Sequence, residues 1–178
     1  MKVIAETEYF DFVQFANSSG IKVKIPSVSV MPYTVDENGI VDKIGILKEY
    51  NVFREGNYAE TLITGSVEVS DEDTLATAIR ELLEEGGIDM NGDDLGKWTY
   101  LGGFHDSKDT DRTMPSFAVD VTGKTIGKAA GDGSEKETKS KMELVEVNKA
   151  LQSNELLVLG SFLRLFNIMY QKSFKNAK

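Results

Sequence analysis

The chain has 178 residues, 40% of them hydrophobic, and three prolines, enough to bury one sizeable core and too little to require two. Its formal charge of −9 and isoelectric point near 4.7 repel polyanions. Affinity for nucleic acid comes largely from lysines and arginines that neutralise phosphates, so the expected ligand is no polymeric nucleic acid, while a small nucleotide carried with a divalent cation remains allowed. No cysteine occurs, which removes disulfides, thiolate zinc sites and cysteine nucleophiles. Any metal must then be held by oxygen or by the single histidine, and oxygen ligands favour Mg²⁺ or Mn²⁺.

The first ten residues mix Lys2, Glu6 and Glu8 among apolar ones, which does not fit a signal peptide and predicts a cytoplasmic location. Ile21 to Ile25 alternates apolar and basic residues. Val28 to Val35 and Ile40 to Lys48 are rich in β-branched residues and read as strands joined at Asp36-Glu37-Asn38-Gly39, a strong turn signal because Asn and Gly both tolerate positive φ. A third strand is expected at Thr61 to Ile63, followed by Gly65 and the acidic group Asp71, Glu72, Asp73, which suits a helix N-terminus. From Thr74 to Gly86, Leu75, Ala78, Ile79 and Leu82 recur at helical spacing, and Gly86-Gly87 ends the pattern.

Trp98 to Phe104 and Ser116 to Val121 read as two more strands around an aspartate-rich loop. Gly123 to Ser140 reads as an exposed loop, Leu144 to Val147 as a short strand, and Glu155 to Tyr170 as an apolar helix. That last stretch carries Ser161, Arg164 and Asn167 and is too short to span a bilayer. It is expected as a buried helix or a dimer surface rather than a membrane contact. No internal repeat or linker divides the chain.

On the predicted helix, Glu81, Glu84 and Glu85 lie at i, i+3 and i+4, on one face and roughly opposite Leu75, Ile79 and Leu82. Like charges so placed cost roughly a few tenths of a kcal/mol per pair unless cations lie between them. A divalent ion would relieve that cost; an ordinary solvated acidic face would also produce the pattern.

Starting at Glu72, seven residues lead to Arg80-Glu81-Leu82-Leu83-Glu84-Glu85-Gly86-Gly87-Ile88. This resembles the second half of the Nudix box, E-x7-R-E-U-x-E-E-x-G-U, where U is apolar. One departure exists: the family's opening glycine falls on Ser66 in that register, with Gly65 one place early. The resemblance implies one α/β domain over 1–178, an α/β/α sandwich with a mixed sheet. Within it lie an N-terminal strand region to about residue 60, the box at 65–88 and a C-terminal helix at about 155–171. It also implies that Glu81 and Glu85 ligate Mg²⁺ or Mn²⁺, that Glu84 completes or supports that shell, and that Arg80 orients Glu81. Glu72 becomes a partner of Arg80, and the loop glycine, here Gly65, supports the metal through its backbone.

Family members often take a general base from a loop well past the box, which makes Glu137 and Glu135 in Gly131 to Glu137 the candidates. The layout before the box, with Leu47 to Asn51 and Thr61 to Gly65, resembles the ADP-ribose pyrophosphatase branch. A proline common there about sixteen residues after the box is missing, and Gly102 and Gly103 occupy the region. The implied reaction is hydrolysis of NDP-X to NMP and P-X, with ADP-ribose as first substrate and NADH, dinucleoside polyphosphates or nucleotide sugars as alternatives. A non-catalytic nucleotide-sensing module and a calcium buffer are the rivals outside catalysis. Arg54 and Arg112 are candidate phosphate clamps, because a guanidinium pairs bidentately with phosphate oxygens. His105 could contact substrate or be merely structural. Trp98 and Tyr100 could stack a base or alternate between core and surface, and Phe53, Phe162 and Phe166 read as core. The apolar C-terminal helix makes a homodimer the default assembly.

Overall fold

The structure is a computed structural model and describes residues 1–15, 18–51, 54, 56, 58–90, 92–105, 107–129 and 140–176, with the side chains of 93 and 172–176 set aside. Among the described residues, ten strands and three helices follow in chain order: β1 Lys2–Glu6, β2 Phe10–Phe15, β3 Ser18–Val23, β4 Ser27–Val35, β5 Val41–Tyr50, β6 Tyr58–Thr61, β7 Ile63–Ser66, α1 Thr74–Glu84, β8 Trp98–His105, β9 Thr113–Asp120, β10 Lys141–Glu146, α2 Val147–Ala150 and α3 Leu156–Asn176, with a 3-10 turn at Gly92–Lys97.

The main sheet has seven strands. Five run in the order β10-β5-β4-β9-β8, and β6 and β7 extend the edges of β5 and β4. β4 and β9 are parallel and the other pairings antiparallel, so the sheet is mixed, as expected. The strand period of two assigns its faces. Val28 and Val30 of β4, Leu47 of β5 and Phe117 and Val119 of β9 pack with Ala78 and Leu82 of α1. The intervening Met31 and Tyr33, Ile44 and Ile46, and Ala118 pack with Val158 and Leu165 of α3. A helix on each face completes the α/β/α sandwich. Pro32 lies within central β4, where proline is unusual. Its ring sits against Gly45, where a Cβ would come within 2.9 Å of Pro32 Cγ.

The N-terminal region holds more structure than its alternation suggests. β1, β2 and β3 form a separate three-stranded antiparallel sheet. It is tied to the loop after β8, where the Ile21 N–H donates to the Asp109 carbonyl at 2.8 Å and the Val23 N–H to Asp111 Oδ1 at 2.8 Å. Val3, Ile4, Tyr9, Phe12 and Phe15 stay exposed. Such strands lack one wholly buried face, so their pattern does not resolve cleanly into apolar and polar sides. The predicted strand at Leu144 to Val147 begins earlier, at Lys141, and Val147 opens α2 instead. The single strand expected at Thr61 to Ile63 is instead two, β6 and β7, interrupted at Leu62, the first pairing with β5 and the second with β4, and Gly65 lies inside β7 rather than ending the pattern. The other strands of the main sheet lie within a few residues of their expected limits. Phe53 lies outside the described residues.

Candidate active site

Helix α1 is fixed at both ends by its own sequence. Asp73 caps it, its Oδ1 accepting from the Leu75 and Ala76 N–H groups at 2.8 Å each. At the other end Gly87 takes φ 65°, a left-handed value that favours glycine, and the chain turns so that the Ile88 N–H reaches the Leu82 carbonyl at 3.3 Å. A Cβ on Gly87 would come within 2.5 Å of the Gly127 carbonyl oxygen. The Gly127 N–H in turn donates to the Gly87 carbonyl at 2.8 Å. Residues after β9 are thereby seated on the helix end, helped by the ion pair of Lys124 with Asp94.

Arg80 organises the carboxylates. Its Nη1 donates to Glu81 Oε1 and to Glu84 Oε2, both at 2.8 Å. Nη2 donates to the Ser66 carbonyl at 2.8 Å and to Asp71 Oδ2 at 3.1 Å, and Nε to Asp71 Oδ1 at 3.3 Å. Burial alone would lower the Arg80 pKa, but the Asp71 hydrogen bond, the charge of Glu81 and the hydrogen bonds to Glu84 and Glu81 outweigh it and raise it above the ordinary arginine value. The same guanidinium, aided by the Glu68 N–H and the Thr77 hydroxyl, holds the Asp71 carboxyl down to about 2 against burial. Asp71 therefore remains charged and clamps Arg80 throughout the neutral range.

Glu81 does not lie on a solvated face. It is 8% exposed, and its carboxylate rests directly on Gly65, where a Cβ would stand 1.8 Å from Glu81 Cδ and Oε1. Gly65 is thus needed for space, since its φ is not among the positive ones. Glu84 is half-exposed on the Arg80 side. Glu85 is the C-cap residue, its N–H donating to the Glu81 carbonyl at 2.9 Å.

The sequence-derived partnership of Arg80 is corrected at one position. Glu72 is exposed; in this segment Arg80 is met by Asp71, one residue earlier, at 3.1 Å and more distantly by Glu68 at 3.7 Å. Glu135 and Glu137 lie outside the described residues.

Arg54 and Arg112, from distant parts of the chain, line one cavity of about 670 Å³ that also includes Ser27, Gly65 and Ser66. This is within the range of small-molecule sites. Arg112 Nη1 donates to Ser27 Oγ at 3.2 Å, and Ser27 pairs across the sheet with Ser66, whose carbonyl holds Arg80. Arg54 Nη2 pairs with Glu155 Oε1 at 2.7 Å, and Glu155 lines the same cavity. His105 also lines the cavity, with Nδ1 at 3.2 Å from the Arg112 carbonyl. Trp98 packs edge-on against Phe117 on the α1 side, and Tyr100, two residues on, also meets the Phe117 ring while remaining exposed. Neither lines this cavity. Phe162 packs in the α3 core, while Phe166 is half-exposed.

Compared with known families, residues 26–166 match the family model described as NUDIX domain. The chain belongs to the Nudix family. In class it is a Nudix pyrophosphohydrolase. No curated protein matches it. Among solved structures, the crystal structure of an ADP compounds hydrolase superposes with a TM-score of 0.64 at 17% sequence identity, covering 96% of this chain and 92% of that one. At that identity the likeness establishes the fold.

With the family known, the geometry gives the Nudix box its register. Gly65, five residues and then Asp71 restore the family's glycine-to-acid spacing, and the extra residue falls between Asp71 and Arg80. The shifted glycine therefore keeps its place beside Glu81. The spacing was visible in the sequence, but counting back from Arg80 selected Glu72.

Nudix hydrolases generally use divalent metal ions. Among the described residues no three acidic or histidine side chains are arranged to hold an ion as they stand, and Arg80 Nη1 is hydrogen-bonded to both Glu81 and Glu84. The donor set nevertheless fits a hard cation. It is all oxygen, it is pressed against side-chain-free backbone at Gly65, and Glu81 and Glu84 already converge on one positive group.

Proposed function

We propose that this Nudix enzyme hydrolyses the pyrophosphate bond of an NDP-X substrate to NMP and P-X, with ADP-ribose as first substrate. What carries the reading is that the Arg80-Glu81-Glu84 cluster abuts, through Gly65 and Ser66, a nucleotide-sized cavity walled by Arg54 and Arg112. The fold neighbour described as an ADP compounds hydrolase supports the adenosine diphosphate part of the choice.

In this mechanism Arg112 and Arg54 hold phosphate oxygens and bring the diphosphate to the box helix. Arg80 fixes the rotamer of Glu81 and is itself fixed by Asp71. Water attacks one phosphorus, the bond from that phosphorus to the bridging oxygen breaks, and the bridging oxygen leaves on the other phosphate. Glu137 or Glu135 takes the proton of the attacking water. Glu81, Glu84 and Glu85 would hold Mg²⁺ or Mn²⁺, which would neutralise charge on the phosphates and acidify water.

The test is a hydrolysis screen of ADP-ribose, NADH, diadenosine polyphosphates, nucleotide sugars and nucleoside triphosphates with Mg²⁺, with Mn²⁺ and with chelator. Turnover of ADP-ribose above the others, abolished by chelation and restored by either ion, is the expected result. Nucleotide binding without turnover of any compound would move the reading to a sensing module.

We also propose a homodimer through α3. Leu156, Leu163, Phe166 and Tyr170 are each more than half exposed, and with Leu159 they follow the alternating three and four spacing of a helix-pairing seam. A monomer by light scattering at micromolar concentration would remove this assembly.

A further inference from the structure

One wall of the cavity has no part in handling the diphosphate. Phe104, at the end of β8, lines the cavity beside Met114 of β9 and Leu157 of α3, and Phe104 and Met114 are cross-strand partners. The ring is held on its other sides. The Arg164 guanidinium carbon lies 3.8 Å from the ring centroid and, unlike the ring, does not line the cavity. It thus covers one face of the ring from outside the cavity lining. Arg164 is immobilised by Nη1, which donates to the Leu101 and Gly103 carbonyls at 3.0 Å each.

That approach depends on Gly102. At φ 95° and at the register shift of β8, it brings its Cα so near that a Cβ would be 2.9 Å from Arg164 Nη1. Gly160 of α3 brings bare backbone against the ring edge, where a Cβ would stand 2.7 Å from Phe104 Cε1. Two glycines and an arginine thus pin one aromatic ring in a wall that otherwise needs only apolar cover.

We propose that Phe104 is the stacking plate for the planar base of the nucleotide, with Arg164 as its positioning residue. This deepens the nucleotide reading above and rests on it. A cation behind the ring draws π-electron density away from the free face, which lessens its repulsion with the π-face of a base, and parallel-offset stacking follows. The base then lies in the Phe104, Met114 and Leu157 part of the cavity, and the diphosphate runs past Arg112 to Gly65. Gly102 and Gly103, which stand where a proline was expected, have a physical reason here, because a side chain at Gly102 would push Arg164 off the ring.

The experiment is calorimetric titration of the full chain at fixed Mg²⁺ with ADP and, separately, with inorganic pyrophosphate. In Phe104→Ala, ADP affinity should fall on the order of tenfold or more while pyrophosphate affinity holds. Phe104→Tyr should bind ADP as the unchanged protein does. Phe104→Leu keeps apolar volume without a π-face and guards against misfolding of the alanine variant; it should show the same selective loss. Arg164→Met should weaken ADP selectively and by less. Unchanged ADP affinity in both Phe104→Ala and Phe104→Leu overturns the proposal, as does equal loss of ADP and pyrophosphate. The hydrolase reading fails differently, by absence of turnover, which leaves these affinities measurable.

Discussion

Glu81→Gln is expected to lower kcat/KM by about three orders of magnitude and to leave the fold standing. The size follows from the metal-ligand role proposed for this carboxylate. A metal-held phosphate gains several kcal/mol of transition-state stabilisation, and each 1.36 kcal/mol is tenfold in rate, so a neutral amide in the ligand position forfeits roughly that factor. The fold should survive because Gln preserves volume at this 8% exposed position, and Arg80 keeps its contacts with Asp71, Glu84 and the Ser66 carbonyl. Loss of one charged hydrogen bond costs about 1.5–3 kcal/mol, partly offset by relief of repulsion between Glu81 and its neighbours on the same helix face. Steady-state kinetics with a thermal melt decides it. A variant that retains turnover within tenfold would remove Glu81 from the metal shell.

The box helix was legible because every feature that builds it is local. Asp73 caps its own helix, Leu75, Ala78 and Leu82 repeat at helical spacing, and the glutamates sit three and four residues apart. The central strands were legible for a similar reason, since Val28, Val30 and Leu47 must face one helix and Met31, Ile44 and Ile46 the other. What stayed hidden depends on contacts between distant residues. Arg54 and Arg112 stood out in the sequence only as candidate phosphate clamps, and nothing in the chain indicated that the fold places them in one cavity. Phe104 and Arg164 are 60 positions apart, and they become neighbours only through the packing of α3 on β8, where Gly102 and Gly160 allow the close approach. The Asp71 contact was obscured differently: an extra residue between acid and arginine is absorbed in the turn before α1, so counting back from the helix lands on the exposed Glu72. The N-terminal sheet was missed because its strands leave apolar side chains in solvent, which destroys the alternation that reveals a strand.

Gly65→Ala should separate the spatial demand of the site from the stability of the fold. Gly65 belongs to β7, opposite Val28 of β4, and its backbone is open to any L-residue, so the substitution carries no conformational penalty. Reduced freedom of the unfolded chain alone would stabilise the protein by about 0.4–1 kcal/mol. The new methyl, however, would occupy the volume of the Glu81 carboxyl, 1.8 Å from Cδ. The cheapest relief is rotation of the Glu81 side chain, since the alternative is to move β7 off α1. Rotation breaks the 2.8 Å contact with Arg80 and withdraws the carboxylate from the cavity edge. A misplacement on the order of 1 Å costs about a hundredfold in rate. The expected result is therefore a protein that melts within a few degrees of the unchanged one, binds nucleotide, and has lost about a hundredfold in kcat. Equal loss of stability and activity would mean that β7 yields instead of Glu81, and full activity would mean that Glu81 works from a position other than the one Gly65 creates for it.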